Sequence, residues 1–137
     1  MNERDAIIRI ILEHYPKVQA IYLFGTYGTE DERPDSDLDI GVLLPPLLAK
    51  TERHPALNLC VQALAELVRK EVDLINIRQV STVFQKEIIT GGRLLYCADR
   101  YAVDEFEMLV LSYYQKLNEE RASILDEALR SGRFYKP

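Results

Sequence analysis

Residues 24–40 read FGTYGTEDERPDSDLDI, and this stretch decides the fold because it joins two short apolar runs through a polar loop. The run at 18–24 is apolar and is followed by glycine, which predicts a mostly buried strand. Residues 37–44 predict a second strand, which a pair of prolines ends. Residues 26–36 between the two strands are polar and predict a loop.

The rest of the chain predicts helices and two further strands. Pro55 is expected to open a helix, and Thr82 and Gln85 have the spacing of a capping box. These segments predict an α/β fold, with a short mixed sheet flanked by helices and a long C-terminal helix. The predicted helices cover residues 4–14, 55–68, a short segment from Thr82 to the Gly91-Gly92 pair and 99–130, and the further strands cover 72–77 and 94–97.

Composition limits the classes of protein that fit this chain. Its 137 residues suit one compact domain, and 22 acidic against 17 basic residues give a net charge of −5. A cationic face for nucleic acid shows the opposite balance, so we expect no direct nucleic-acid binding. We also expect no membrane span, since no apolar run approaches the roughly 18 residues required. Cys60 and Cys97 lie among apolar neighbours, which predicts buried, reduced thiols in a cytoplasmic protein.

Three aspartates carry the strongest chemical signal. Asp37 and Asp39 are two apart on one predicted strand, so they point to the same face with backbones roughly 7 Å apart. Asp73 lies inside an apolar strand, where a buried carboxylate must be neutralised, paired or bound to a metal. If the third strand lies beside the second, the three carboxylates repel unless a cation lies among them. Mg²⁺ suits such oxygen ligands, and two such ions support an in-line displacement at phosphate.

The turn at Gly25-Thr26 suits a phosphate. Alone, a glycine–threonine pair after a strand is usually only a turn. Opposite a group of carboxylates, its backbone N–H groups and hydroxyl favour a phosphate anion, and the glycine lets the backbone approach closely. Together these parts fit nucleotidyl transfer.

The pattern Gly25-Thr26, ten residues, then Asp37-Leu38-Asp39 resembles the Gly-Ser-x10-Asp-x-Asp signature of polymerase-β-like nucleotidyltransferases. The short length and the segment Gly91-Gly92-Arg93-Leu94-Leu95-Tyr96 resemble the minimal nucleotidyltransferase (MNT) branch. The resemblance covers about residues 4–98. It implies a small nucleotidyltransferase domain at 1–98. The helical pattern that follows predicts an extension at 99–137 that packs on this domain and on a partner.

The resemblance also implies roles for individual residues. Gly25 and Thr26 would hold the terminal phosphates of the nucleotide, and Asp37 and Asp39 would bind two Mg²⁺ ions. Asp73 would ligate one of these ions and deprotonate the acceptor hydroxyl.

This chain departs from the family pattern in two places. Thr26 replaces the usual serine, which keeps the hydroxyl. Many relatives carry Ala-Arg-Gly where this chain has Gly28-Thr29-Glu30, so a loop arginine near the phosphates is missing. Arg33 could supply a cation from the same loop, although a solvated loop arginine is the simpler interpretation.

By resemblance, the chain is the antitoxin of a two-gene module whose partner is a HEPN-family ribonuclease toxin. The implied reaction is Mg-ATP-dependent transfer of AMP to a tyrosine hydroxyl of the toxin, which blocks RNA binding by charge and bulk. Two alternatives stay open at this point. One is an antitoxin that acts by occlusion alone, and the other is an adenylyltransferase for a small molecule.

The C-terminal helix carries a wide apolar face. About 30 helical residues extend roughly 45 Å, so part of the helix is expected to overhang the domain. For the first half of the helix, packing in the core and contact with a partner protein both stay open. From Ile124 to the tail, an apolar face beyond the domain indicates contact with a partner protein. The residues that we expect at this interface are Tyr113, Leu117, Ile124, Leu129 and Phe134.

Overall fold

A four-stranded mixed sheet forms the centre of the computed structural model, which describes residues 2–55 and 58–132. Strand β1 pairs antiparallel with β2 and with β4, whereas β2 and β3 run parallel. The short mixed sheet and the edge position of the last strand are therefore confirmed. In the spatial order β3-β2-β1-β4, the strands are β1 (Ala20–Phe24), β2 (Leu38–Leu43), β3 (Val72–Asn76) and β4 (Arg93–Cys97).

Helices cover both faces of the sheet. One face packs against α1 and α3, and the other packs against α4 and α5. Among the described residues, no helix is long and apolar enough to cross a membrane. The helices are α1 (Glu3–His14), α2 (Pro46–Thr51), α3 (Leu59–Val68), α4 (Thr82–Gly91) and α5 (Arg100–Ser131).

Alternation along the strands divides the buried side chains between two cores. Ile21 and Leu23 of β1 pack with α1 and α3, whereas Ala20 and Tyr22 pack with α4 and α5. The same alternation in β2 leaves Asp39 on the α4–α5 face. The β2 residues buried in the α1–α3 core are Leu38, Ile40 and Val42.

Helix α3 begins later than predicted, and α2 was not predicted at all. Asn58 caps α3, because its side chain accepts a hydrogen bond from the Cys60 N–H at 2.9 Å. The prediction that Pro55 opens this helix is therefore wrong. The prolines that end β2 also open α2, since proline is favoured in the first turn of a helix.

The predicted capping box of α4 is also wrong. Ser81 caps the helix, and its hydroxyl accepts from the Phe84 N–H at 3.2 Å. The Gln85 side chain donates instead to the carbonyl of Ile77 at 2.8 Å, so it is not available to the helix start. Gly92 ends the helix as predicted.

Helix α5 has the predicted extent, with Asp99 as its N-cap and Gly132 as its C-cap. Its first three turns complete the core on the α4–α5 face. From Leu111 onward its described side chains are exposed or half-buried, so about 20 residues, or roughly 30 Å of helix, extend from the packed part. The buried residues of α5 are Ala102, Val103, Phe106 and Val110.

Candidate active site

The three predicted aspartates lie at one end of the sheet. Asp39 pairs with Phe24 of β1 on one side and with Asp73 of β3 on the other. Asp37 immediately precedes β2 and lies two residues before Asp39, so the two share a strand face. The parallel pairing of β2 with β3 thus brings together carboxylates that are far apart in the sequence.

The pKa of Asp39 reflects the proximity of these carboxylates. Burial raises the pKa of its carboxyl above the ordinary value, and the negative charges of Asp73 and then Asp37 raise the same pKa further. Like charges that face a common space favour a cation among them. Within the described parts of the chain, no three His, Cys, Asp or Glu side chains are grouped closely enough to hold a metal ion.

The burial that sequence analysis assigned to Asp73 is wrong. Asp73 is the second residue of the edge strand β3 and is exposed to solvent. Its neighbours Val72 and Leu74 pack in the α1–α3 core, so strand alternation turns Asp73 to the other face, the one that carries Asp39. Its place in the site therefore follows from its register with Asp39 and not from the cost of a buried charge.

Gly25 touches this carboxylate group directly. It has a left-handed backbone, with φ of +72°, and a Cβ at this position would collide with the Asp39 carboxylate. Glycine is therefore required twice here, for its backbone conformation and for the space that Asp39 occupies. The turn after β1 therefore lies directly against the aspartate that β2 contributes to this group.

Thr26 and Arg33 share an open cavity of about 690 Å³ in the loop between β1 and β2. The Thr26 hydroxyl donates to the Ser36 hydroxyl at 3.0 Å, and the Arg33 backbone N–H donates to the same oxygen at 2.8 Å. Thr26 and the backbone of Arg33, two of the three predicted nucleotide-binding residues, are thus held close together through Ser36. Three acidic residues, Glu30, Asp31 and Glu32, also line this cavity.

Two cations that the sequence did not indicate hold this loop. Lys70, between α3 and β3, donates to the carbonyls of Arg33 at 3.2 Å and Pro34 at 3.3 Å, and pairs with Glu32 at 3.4 Å. Arg93, the first residue of β4, reaches the start of the loop. Arg93 lies in the segment at 91–96 on which the family resemblance was based, whereas Lys70 belongs to no recognised sequence motif.

Four of the five predicted interface residues lie in the described part of α5. Tyr113, Ile124 and Leu129 have 59%, 68% and 57% of their surface exposed, and Leu117 is half-buried. Phe134 lies outside the described residues. These apolar side chains are available to a partner, whereas the buried side chains of α5 all lie in its first three turns.

The fold and the site define a nucleotidyltransferase. Residues 7–101 match the family model described as polymerase beta, nucleotidyltransferase, and the chain belongs to this family. The chain is 35% identical to the protein adenylyltransferase MntA of Shewanella oneidensis strain MR-1 over 130 residues. The matched residues cover 94% of this chain and 88% of that protein.

Solved toxin–antitoxin complexes contain chains of the same architecture. One is a crystal structure of a toxin–antitoxin with AMP-PNP, matched with a TM-score of 0.70 and 32% identity over 94% of this chain and 99% of that chain. Another contains a tri-AMPylated Shewanella oneidensis HEPN toxin with its MNT antitoxin, matched with a TM-score of 0.65 and 30% identity over 93% and 96% of the two chains.

Proposed function

We propose that this protein is the antitoxin of a HEPN/MNT module and transfers AMP from ATP to a tyrosine hydroxyl of a HEPN-family ribonuclease toxin. The observation that carries the proposal is the meeting of Asp37, Asp39 and Asp73 with the Gly25-Thr26 turn at one end of the sheet. Similarity to a protein adenylyltransferase over 94% of the chain supports the acceptor class.

The reaction exchanges one bond at the α-phosphorus of ATP. The tyrosine oxygen forms a bond to this phosphorus, and the bond from the phosphorus to the oxygen that bridges to the β-phosphate breaks. Pyrophosphate leaves with the electron pair of the broken bond, and the tyrosine proton passes to the Asp73 carboxylate. Asp73 suits this role because it is exposed beside Asp39, where an acceptor from another protein can reach it.

Asp37, Asp39 and Asp73 would hold two Mg²⁺ ions together with oxygens of the bound ATP, because the three described side chains are not grouped closely enough to form a metal site by themselves. Their oxygens are the donors that Mg²⁺ prefers. Burial raises the pKa of Asp39 most, and bound cations would relieve the repulsion from Asp73 and Asp37 that raises it further. When bound, such ions stabilise the negative charge that develops on the phosphate oxygens during the transfer.

The loop between β1 and β2 would hold the terminal phosphates. Gly25 lets the backbone approach them, Thr26 offers its hydroxyl, and Arg33 supplies a cation from the same cavity. The three acidic residues beside Arg33 oppose a free triphosphate. We therefore expect ATP to bind as its magnesium complex, with the metal offsetting this repulsion.

The exposed part of α5 would dock the toxin. The described portion of this docking surface consists of Tyr113, Leu117, Ile124 and Leu129. We include Phe134 in the proposed surface, although it lies outside the described residues. Residues 1–98 then act as the nucleotidyltransferase domain and 99–137 as the docking extension. The toxin would supply the acceptor hydroxyl at the open end of the sheet, and the pair would work in the cytoplasm.

A label-transfer experiment tests this function. The HEPN-family protein of the same two-gene module is incubated with this protein, Mg²⁺ and ATP labelled at either the α- or the γ-phosphate. Adenylyl transfer predicts label on the toxin from α-labelled ATP alone. Label from γ-labelled ATP would indicate phosphorylation, and a stable complex without either label would indicate an antitoxin that acts by occlusion.

A further inference from the structure

The junction between α4 and β4 brings an arginine to the turn that follows β1. A Cβ on Gly92 would collide with the carbonyl oxygens of Ile88 and Leu23, so only glycine lets the chain pass this close to β1. Arg93 follows at once and pairs with Leu23 in the sheet register. Its backbone is therefore fixed two residues from Gly25 across the strand pair.

The guanidinium of Arg93 binds two carbonyls of the turn. One terminal nitrogen donates to the Gly25 carbonyl at 3.4 Å, and the other donates to the Tyr27 carbonyl at 2.6 Å. These acceptors flank Thr26. A planar guanidinium presents both donors in a fixed arrangement, whereas a lysine ammonium is a compact point charge.

The two contacts orient the backbone N–H groups of the turn. The Gly25 carbonyl and the Thr26 N–H belong to one planar peptide unit and point in opposite directions. Holding this carbonyl on the guanidinium therefore turns the Thr26 N–H away from the Arg93 guanidinium. The same holds for the Tyr27 carbonyl and the Gly28 N–H, which donates to the Glu32 carboxylate at 3.1 Å.

We propose that Arg93 is a positioning residue that sets the Gly25–Tyr27 turn for the terminal phosphates of the nucleotide. It acts through backbone carbonyls and not by contact with the phosphates. The inference rests on the proposed function, because it takes the turn to be the phosphate-binding element. The proposal also explains the glycine-rich segment before β4, because this segment brings Arg93 to the turn.

The test compares two ligands and two substitutions in the full chain. Arg93→Met removes the donors, and Arg93→Lys keeps the charge but not the paired geometry. Arg100→Met is the matched control, since Arg100 is an exposed arginine bonded to Asp104 at 3.1 Å. Affinities for AMP-PNP and for AMP are measured with Mg²⁺ by calorimetry, and backbone amide resonances are recorded by NMR without nucleotide.

We expect both Arg93 variants to bind AMP-PNP about tenfold more weakly than the wild type. Affinity for AMP should stay within about twofold, because AMP lacks the phosphates that the turn holds. In Arg93→Lys the amide resonances of Thr26 and Gly28 should shift while those of β2 and β3 stay in place. The control should match the wild type in every measurement.

Three results would overturn the inference. Full AMP-PNP affinity in Arg93→Lys would mean that charge and not geometry matters. Equal losses for AMP and AMP-PNP would mean a general structural role. Unmoved Thr26 and Gly28 resonances would mean that the turn does not depend on Arg93. If the wild type itself fails to bind AMP-PNP, the proposed function fails, and the resonances alone still decide whether Arg93 positions the turn.

Discussion

Gly25 and Asp39 are packed against each other so closely that a methyl group on residue 25 would overlap the Asp39 carboxylate. One residue belongs to the proposed phosphate turn and the other to the proposed metal site. The contact therefore places the two halves of the proposed nucleotide site directly against each other, and a larger residue at position 25 would displace the Asp39 carboxylate.

Gly25→Ala is predicted to abolish AMP transfer and to destabilise the protein by about 1–2 kcal/mol through its left-handed backbone. Urea unfolding and the transfer assay measure the two effects. Gly28→Ala is the matched control, because it has a similar φ of +74° but open space around its Cβ. Retained activity in Gly25→Ala, or equal loss in both variants, would contradict the coupling of Gly25 to Asp39.

Asp39→Asn is predicted to remove activity while leaving the thermal stability at neutral pH unchanged or raised. The pKa of Asp39 is raised in the folded protein, so its ionisation opposes folding. The penalty is absent below the unfolded pKa, near 3.8, and grows as the pH rises through the folded pKa. Melting curves in EDTA should show any gain of the variant at pH 7 and its disappearance near pH 3. A variant less stable than the wild type at pH 7 would contradict this electrostatic account.

Ile124→Asp together with Leu129→Asp is predicted to weaken the toxin complex at least tenfold and to change the free energy of unfolding by less than about 0.5 kcal/mol. Both side chains are more than half exposed. Calorimetric titration and circular dichroism check the two effects. Val110→Asp serves as the contrast, because Val110 is buried and its replacement should unfold the domain. Unfolding in the double variant would place these residues in the core.

Cys60 is predicted to resist alkylation in the folded protein. Its side chain is fully buried, and burial raises the pKa of its thiol to about 11, so little thiolate forms at pH 8. Cys97 is half-buried and should react first. Mass spectrometry after iodoacetamide, with and without denaturant, should place the label at Cys60 only after unfolding. Rapid labelling of native Cys60 would mean that α3 opens readily.

Much of the fold was predictable because its signals are local. Apolar runs located the four strands, and the helical pattern of residues 99–130 located α5. The start of α3 was missed because the helix begins where the Asn58 side chain accepts a hydrogen bond from the Cys60 N–H, and not at the more conspicuous Pro55.

The site was predictable in part for the same reason. Asp37 and Asp39 are neighbours in the sequence, and Gly25 ends a recognisable strand. The exposure of Asp73 depends on β3 being an edge strand, which the sequence of β3 does not encode by itself. Lys70 and Arg93 act over 36 to 68 residues of sequence through backbone carbonyls, and such contacts leave no pattern of side chains to detect.

The most direct test of the central claim is the intact mass of the HEPN-family partner after incubation with this protein, ATP and Mg²⁺. Asp39→Ala, incubated in parallel, controls for transfer that does not use this site. The account predicts that the partner gains the mass of one or more AMP groups with the wild type and none with the variant. An unchanged partner mass with the wild type, or an equal gain with Asp39→Ala, would contradict adenylyl transfer by this site.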